Sequence, residues 1–194
     1  MDITRACQIG DVDRVRELLQ NGANPTENNN APIAYASCNG HADIVKLLLQ
    51  DGRVDPSVFY NAPIRNASYY GHPKIVEMLL QDRRVDPTDD DNYTIKYACL
   101  NRHIKVIELL LQDGRADPAA DDNAAIQWAS THGQADIVKL LLQDGRVDPT
   151  DNNEWAIKNA KTQEIKEMLI HYKYRVDGNE YCRLKNELDV EGKN

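Results

Sequence analysis

The chain has 194 residues, 41% hydrophobic and 28% charged, which excludes a disordered chain and allows one or two ordinary domains. Its formal net charge of −8 opposes phosphate backbones and argues against nucleic acid as a partner. No apolar run exceeds four residues, which excludes a transmembrane helix, and the opening M-D-I-T-R holds no secretory apolar segment.

The first predicted helices lie within residues 3–24. They carry Arg5, Asp11, Asp13, Arg14, Arg16 and Glu17, the polar outer face expected of an N-terminal cap. Beyond them the chain is periodic. Pro25, Pro56, Pro87, Pro118 and Pro149 recur every 31 residues, as do Ile33, Ile64, Ile95, Ile126 and Ile157 and also Ala36, Ala67, Ala98, Ala129 and Ala160. Three ladders in one register establish internal repeats.

The unit spanning residues 30–55 shows what each repeat builds. Asn30 or Ala31 opens a short helix with Pro32 in its first turn, where a missing N–H costs nothing. Ile33, Ala36, Ser37 and Gly40 fall at i, i+3, i+4 and i+7, a face of small residues that lets another helix approach. Gly40-His41 breaks that helix. Asp43 then sits near the start of a second one, whose stripe is Ile44, Val45, Leu47, Leu48 and Leu49. Gly52 is the expected C-cap, with Arg53 near the negative end of the dipole. Val54-Asp55 is extended because a residue before proline avoids the helical region. One such unit cannot bury its own apolar face, and stacking the units does.

The predicted organisation is a repeat array over residues 1–174: an N-terminal cap (1–25), repeats 26–56, 57–87, 88–118 and 119–149, and a C-terminal cap (150–174). The cap helix runs from residue 164 to about Tyr174. A charged, weakly ordered tail follows at 175–194, with some helix expected over 180–188. Four cysteines, Cys7, Cys38, Cys99 and Cys182, form no C-x-x-C pair and read as reduced thiols of a cytosolic or nuclear chain.

The segment G-H-A-D-I-V-K-L-L-L-Q-D-G at 40–52, echoed at 71–80 and 133–142, resembles the ankyrin repeat, and the likeness covers about residues 2–174. It implies an all-α solenoid of stacked helix-turn-helix units with short loops or shortened β-turn fingers. The usual unit has about 33 residues and opens its first helix with T-P-L-H-x-A. Here that opening reads A-P-I-A-Y-A, A-P-I-R-N-A, Y-T-I-K-Y-A and A-A-I-Q-W-A, and its histidine is absent. The shorter period puts the shortening in the projecting finger, so binding would rest more on helix surfaces. The 31-residue L-L-L-Q-D-G-R-V-D-P variety is similar to arrays that giant DNA viruses of amoebae encode. Family members of that kind are taken to engage host proteins, and some viral ones recruit ubiquitin ligases through an appended domain.

Two ladders vary where the scaffold does not. One reads Tyr35, Asn66, Tyr97, Trp128, Asn159 and the other Asn39, Tyr70, Asn101, His132. They lie four residues apart on one helix face, directed away from Ile33 and Ala36 and toward the concave side. Aromatic residues there are candidate anchors for a partner, and the alternative is that they pack between neighbouring helices. Phe59, Tyr60, Tyr93 and Trp155 are read as loop tips. An apolar tip suggests contact, and the alternative is that Phe59 folds back over Tyr93 or Pro56. Asp89-Asp90-Asp91, Asp121-Asp122 and Asp151 offer either an acidic edge for a basic partner or ordinary turn chemistry. The recurrent His41, His72 and His103 read as braces of the turn, since no cysteine or carboxylate stands at zinc-ligand spacing.

No catalytic motif occurs, neither G-x-S-x-G, G-x-x-x-x-G-K-[ST] nor H-E-x-x-H. The expected function is therefore a protein–protein interaction module, not an enzyme. It would bind a partner protein through the concave helix surface and loop tips, using Phe59, Tyr60, Tyr70, Tyr93, Tyr97, Trp128, His132 and Trp155. It is expected to be monomeric, cytoplasmic or nuclear, with no cofactor, metal, nucleic acid or membrane. The alternatives are a substrate adaptor for a ubiquitin ligase, for which the tail after residue 174 is short, and a purely structural scaffold.

Overall fold

A computed structural model describes residues 1–177, which form twelve helices and, among these residues, no strand. The helices come in six pairs. They are α1 (Ile3–Ile9) with α2 (Val12–Gln20), α3 (Glu27–Cys38) with α4 (Ala42–Gln50), α5 (Val58–Tyr70) with α6 (Pro73–Leu80), α7 (Asp89–Leu100) with α8 (Ile104–Asp113), α9 (Ala120–His132) with α10 (Ala135–Asp144), and α11 (Asp151–Lys158) with α12 (Gln163–Asp177). Among the described residues no helix is long and apolar enough to cross a membrane.

The chain divides into two compact units, Met1–Asp117 and Pro118 onward. In the first, α1, α3, α5 and α7 pack side by side as one layer, and α2, α4, α6 and α8 as another. In the second, α9 packs on α11 and α10 on α12. The ladders explain the two layers. Ile33, Ile64, Ile95 and Ile126 are fully buried, as are Ala36, Ala67, Ala98 and Ala129, so the first helices touch through their small-residue face. Leu48, Leu79, Leu110 and Leu141 seal the second helices onto them, each without exposed surface. Burying a leucine of this kind contributes about 1.5–3 kcal/mol.

The loops differ from a shortened finger. Each repeat enters its first helix through three consecutive left-handed residues: Asn28-Asn29-Asn30, Phe59-Tyr60-Asn61, Asp90-Asp91-Asn92, Asp121-Asp122-Asn123 and Asn152-Asn153-Glu154, with φ between 49° and 62°. The right-handed helix begins only afterwards, at Ala31 and its equivalents. Left-handed backbone costs an ordinary L-residue roughly 1–2 kcal/mol, and Asn and Asp tolerate it best. Twelve of these fifteen residues are Asn or Asp, so the composition of the loop follows from its conformation.

The third residue of each turn does a second job. Asn30, Asn61, Asn92 and Asn123 each accept, through Oδ1, the backbone N–H of Asp55, Asp86, Asp117 and Asp148 at the end of the same repeat, at 2.8–3.0 Å. Asn61 and Asn123 also donate through Nδ2 to the Asp89 and Asp151 carboxylates. Asp55, Asp86 and Asp148 in turn accept both the N–H and the hydroxyl of Ser57, Thr88 and Thr150, which fixes the backbone after each proline.

The second helix ends otherwise than expected in one repeat. The C-cap of α4 is Asp51, in extended backbone, and Gly52 has no positive φ. Gly114 and Gly145 do cap α8 and α10 in left-handed conformation. Arg53 does not act on the helix dipole alone: its guanidinium pairs with Asp51 at 2.6 Å. The same clip joins Arg84 to Asp82, Arg115 to Asp113 and Arg146 to Asp144. Arg84 and Arg115 also donate to the Val54 and Val85 carbonyls of the preceding repeat. At the far end α12 continues through Asp177, three residues into the predicted tail; residues 178–194, with the helix expected over 180–188, lie outside the described residues.

The histidine ladder braces the turns between helices. His41, His72 and His103 each place Nε2 within 2.9–3.2 Å of a carbonyl in the preceding repeat, those of Gln8, Cys38 and Tyr69. A carbonyl only accepts, so Nε2–H donates. Each ring lies flat over a glycine, Gly10, Gly40 or Gly71. A Cβ on Gly71 would collide with His103 Nδ1, on backbone with φ +73°. Gly71→Ala is therefore expected to destabilise the fold by about 1–3 kcal/mol from strain alone, read as a lower urea midpoint. An unchanged midpoint would show that the ring is not held there.

Candidate partner-binding face

The variable ladders emerge on the side of the first helices opposite the buried Ile and Ala. In α9 this face carries Ala124, Gln127, Trp128, Thr131 and His132. In α7 the equivalent positions are Tyr93, Lys96, Tyr97, Leu100 and Asn101. Register places Tyr93 and Trp155 at the same point, the first residue after the left-handed turn. They are thus helix residues, and the expectation that they are loop tips is corrected. Phe59 and Tyr60 do stand at a tip, 50% and 76% exposed.

Within the first unit the structure brings Tyr70, Tyr93 and Tyr97 together with Tyr69 and Arg65. Tyr93 and Tyr97 stack at 3.8 Å between ring centroids. Tyr69 leans on Tyr97 at 5.7 Å and meets Tyr70 edge-on at 4.9 Å. The Arg65 guanidinium lies 5.3 Å over the Tyr93 ring, pairs with Asp90 and donates to the Phe59 carbonyl. Burial pushes the Tyr93 phenol above its ordinary value, with Tyr97 beside it adding to the shift. The Cys38 thiol beside Tyr70 does the same there. Tyr93 and Tyr97 are therefore packed against one another and half-buried, while Tyr70 keeps 52% of its surface in solvent.

Tyr69 and Arg65 were not singled out by sequence reasoning. The signal was present. Cys38, Tyr69, Leu100 and Thr131 form a third varying ladder, three residues after the first, and Ala34, Arg65, Lys96 and Gln127 a fourth.

Within the second unit Trp128 stacks on His132 at 4.6 Å between centroids, with the rings 19° from parallel. The His132 Nδ1–H donates to the Trp128 carbonyl at 2.9 Å. Together with Trp155 from α11 they line an open cleft of about 320 Å³, along with Ala124, Gln127 and Thr131. Trp128 is 47% exposed, more than core packing would leave. Ala124 opens this cleft, because the same register position holds the bulky Tyr93 in α7.

The acidic residues of the turns read largely as turn chemistry. Asp89 and Asp151 accept from Asn61 and Asn123 and from the N–H of the next residue. Asp90 pairs with Arg65. Cys7 and Cys99 are buried thiols pushed up to about 12 by burial, and only Cys38 of the three described cysteines has exposed surface. Among the described residues no group of three or more His, Cys, Asp or Glu could hold a metal ion.

The sequence profile of the family described as "Ankyrin repeats (3 copies)" matches residues 3–60, 64–153 and 96–181. No curated protein matches the chain at a significant level.

Proposed function

Because the chain belongs to the ankyrin-repeat family, we propose that it binds a partner protein through the exposed face of its first helices and the turns beside them. Ankyrin repeats are in general protein–protein interaction modules and are not typically enzymatic. The observation that carries the reading to named residues is Trp128. While the Ile and Leu ladders are buried, this side chain stands 47% exposed beside an open cleft. Exposed Trp and Tyr are the residue types that dominate binding hot spots.

In the second unit His132 and Trp155 belong to the proposed surface beside Trp128. In the first unit Phe59, Tyr60 and Tyr70 belong to it by exposure, with Tyr93 and Tyr97 packed against each other next to them. The resemblance of the 31-residue unit to viral arrays supports a host protein as the partner, met by a monomer in the cytoplasm or nucleus. An adaptor role toward ubiquitin ligase machinery would use the same surface to hold a substrate.

Affinity capture with mass spectrometry supplies the partner for a direct test. Trp128→Ala is expected to weaken its binding by roughly 2 kcal/mol or more, about thirtyfold. Circular dichroism should remain that of the parent. Lys46→Ala, on the exposed side of α4, should bind as the parent does. Loss of the fold in Trp128→Ala would assign that residue to packing, and normal binding by it would place the partner on another face.

A further inference from the structure

The two units treat one register position differently, and the difference identifies a guest for the cleft in the second. In the first unit, the face of Tyr93 is covered by the protein's own cation. Arg65 comes from the preceding first helix, lies 5.3 Å over the ring, and is held by the Phe59 carbonyl and the Asp90 carboxylate. In the second unit Trp155 stands where Tyr93 does, and Gln127 where Arg65 does. Gln127 is shorter and uncharged. Its amide donates to the Asp122 carbonyl of the turn just before its own helix, much as Arg65 donates to that of Phe59. The cleft between Trp128 and Trp155 stays open.

We propose that this cleft, between Trp128 and Trp155 and beside Gln127, receives the guanidinium of an arginine side chain from the partner. The inference rests on the interaction role proposed above and adds the chemistry of what is recognised. Indole is the best of the aromatic faces for a cation, arginine is the cation most often found there, and its planar fork also stacks. The surroundings suit a donor-rich cation. His132 donates through Nδ1 to the Trp128 carbonyl, which holds its ring stacked on the indole at the edge of the cleft. The turn leading into the cleft carries the exposed Asp121 and Asp122. The chain as a whole carries a net charge of −8, which favours approach by a basic segment.

The full chain holds two tryptophans, and both line the cleft, so their signals report on it alone. The test is titration of the full chain with acetyl-Gly-Arg-Gly-amide and with the norleucine analogue, followed by indole fluorescence and by the two indole N–H resonances. The arginine peptide should shift both resonances saturably and bind at least about fivefold tighter than norleucine. Gln127→Arg, which supplies the cation from within as Arg65 does, should abolish the shifts while keeping the parent's helicity. Trp155→Ala should weaken binding read at the remaining indole, and serves if Gln127→Arg does not fold. Equal binding of norleucine, absence of any saturable shift, or undiminished binding by the variants would each overturn the assignment. Those outcomes are separate from the partner test above, since a captured protein could still depend on Trp128 through an apolar contact.

Discussion

Leu110→Ala is expected to lower the free energy of unfolding by about 2–5 kcal/mol. Leu110 has no exposed surface and sits on α8, sealing the second-helix layer onto the first. Its equivalents Leu48, Leu79 and Leu141 are just as buried, so the position is structural in every repeat. The size of the loss depends on how far the neighbours close on the cavity, and close packing of short helices leaves little slack. In a repeat array each unit leans only on its neighbours. The damage should therefore remain local, and the urea transition should broaden or split rather than simply move. A change under about 0.5 kcal/mol, within the range of ordinary surface substitutions, would mean that the register of the second helix is wrong.

Asn61→Ala is expected to cost about 2–4 kcal/mol, although Asn61 belongs to a loop. Two terms add. The substitution strips a partner from the Asp86 N–H and another from the Asp89 carboxylate, in a place where Asn61 is only 5% exposed. Unsatisfied groups of this kind cost about 1–3 kcal/mol. The backbone at φ 55° also loses one of the few L-residues suited to it. Asn61→Asp is the informative companion: it keeps the acceptor for Asp86 and the left-handed preference but sets a carboxylate against Asp89. It should fall between the parent and Asn61→Ala at neutral pH and move toward the parent in acid. If denaturant titration finds Asn61→Ala within about 0.5 kcal/mol of the parent, as for an ordinary surface site, the asparagine ladder is not what fixes the turns.

The sequence was legible wherever burial repeats. The Ile and Ala ladders, the leucine stripe and the helix-turn-helix unit follow from periodicity, because an apolar face has to be covered. The histidine braces were legible for the same reason of recurrence. The left-handed turns were not. Their asparagines bond to backbone 25 residues downstream, and no local pattern reports a bond of that span. Asn30, Asn61, Asn92 and Asn123 nevertheless stood 31 apart, and a fourth ladder of polar residues with no surface role was the available clue. Tyr93 and Trp155 were misplaced as loop tips because no side-chain cap announces the helix there. Carrying the start at Ala31 forward by multiples of 31 puts both inside the helix. Gly52 was misread as a C-cap because its repeat ends on Asp51, whose clip to Arg53 gives the chain another way to turn. Of the candidate surface, variability between repeats located the face. It could not separate Tyr97, stacked under its neighbours, from Trp128, which is open, since both occupy one register position.

The fifth turn breaks the asparagine rule, and the break changes what holds it. Position 154 holds Glu where the four preceding turns hold Asn, and its carboxylate takes the Lys173 ammonium at 2.6 Å. Lys173 keeps that carboxyl below the ordinary glutamate value, so the pair is charged at neutral pH. The last described turn is thus tied to α12 by a charge pair, whereas the four before it are tied by neutral amides. Added salt should therefore loosen this turn first, seen as faster amide exchange there than in the asparagine-held turns.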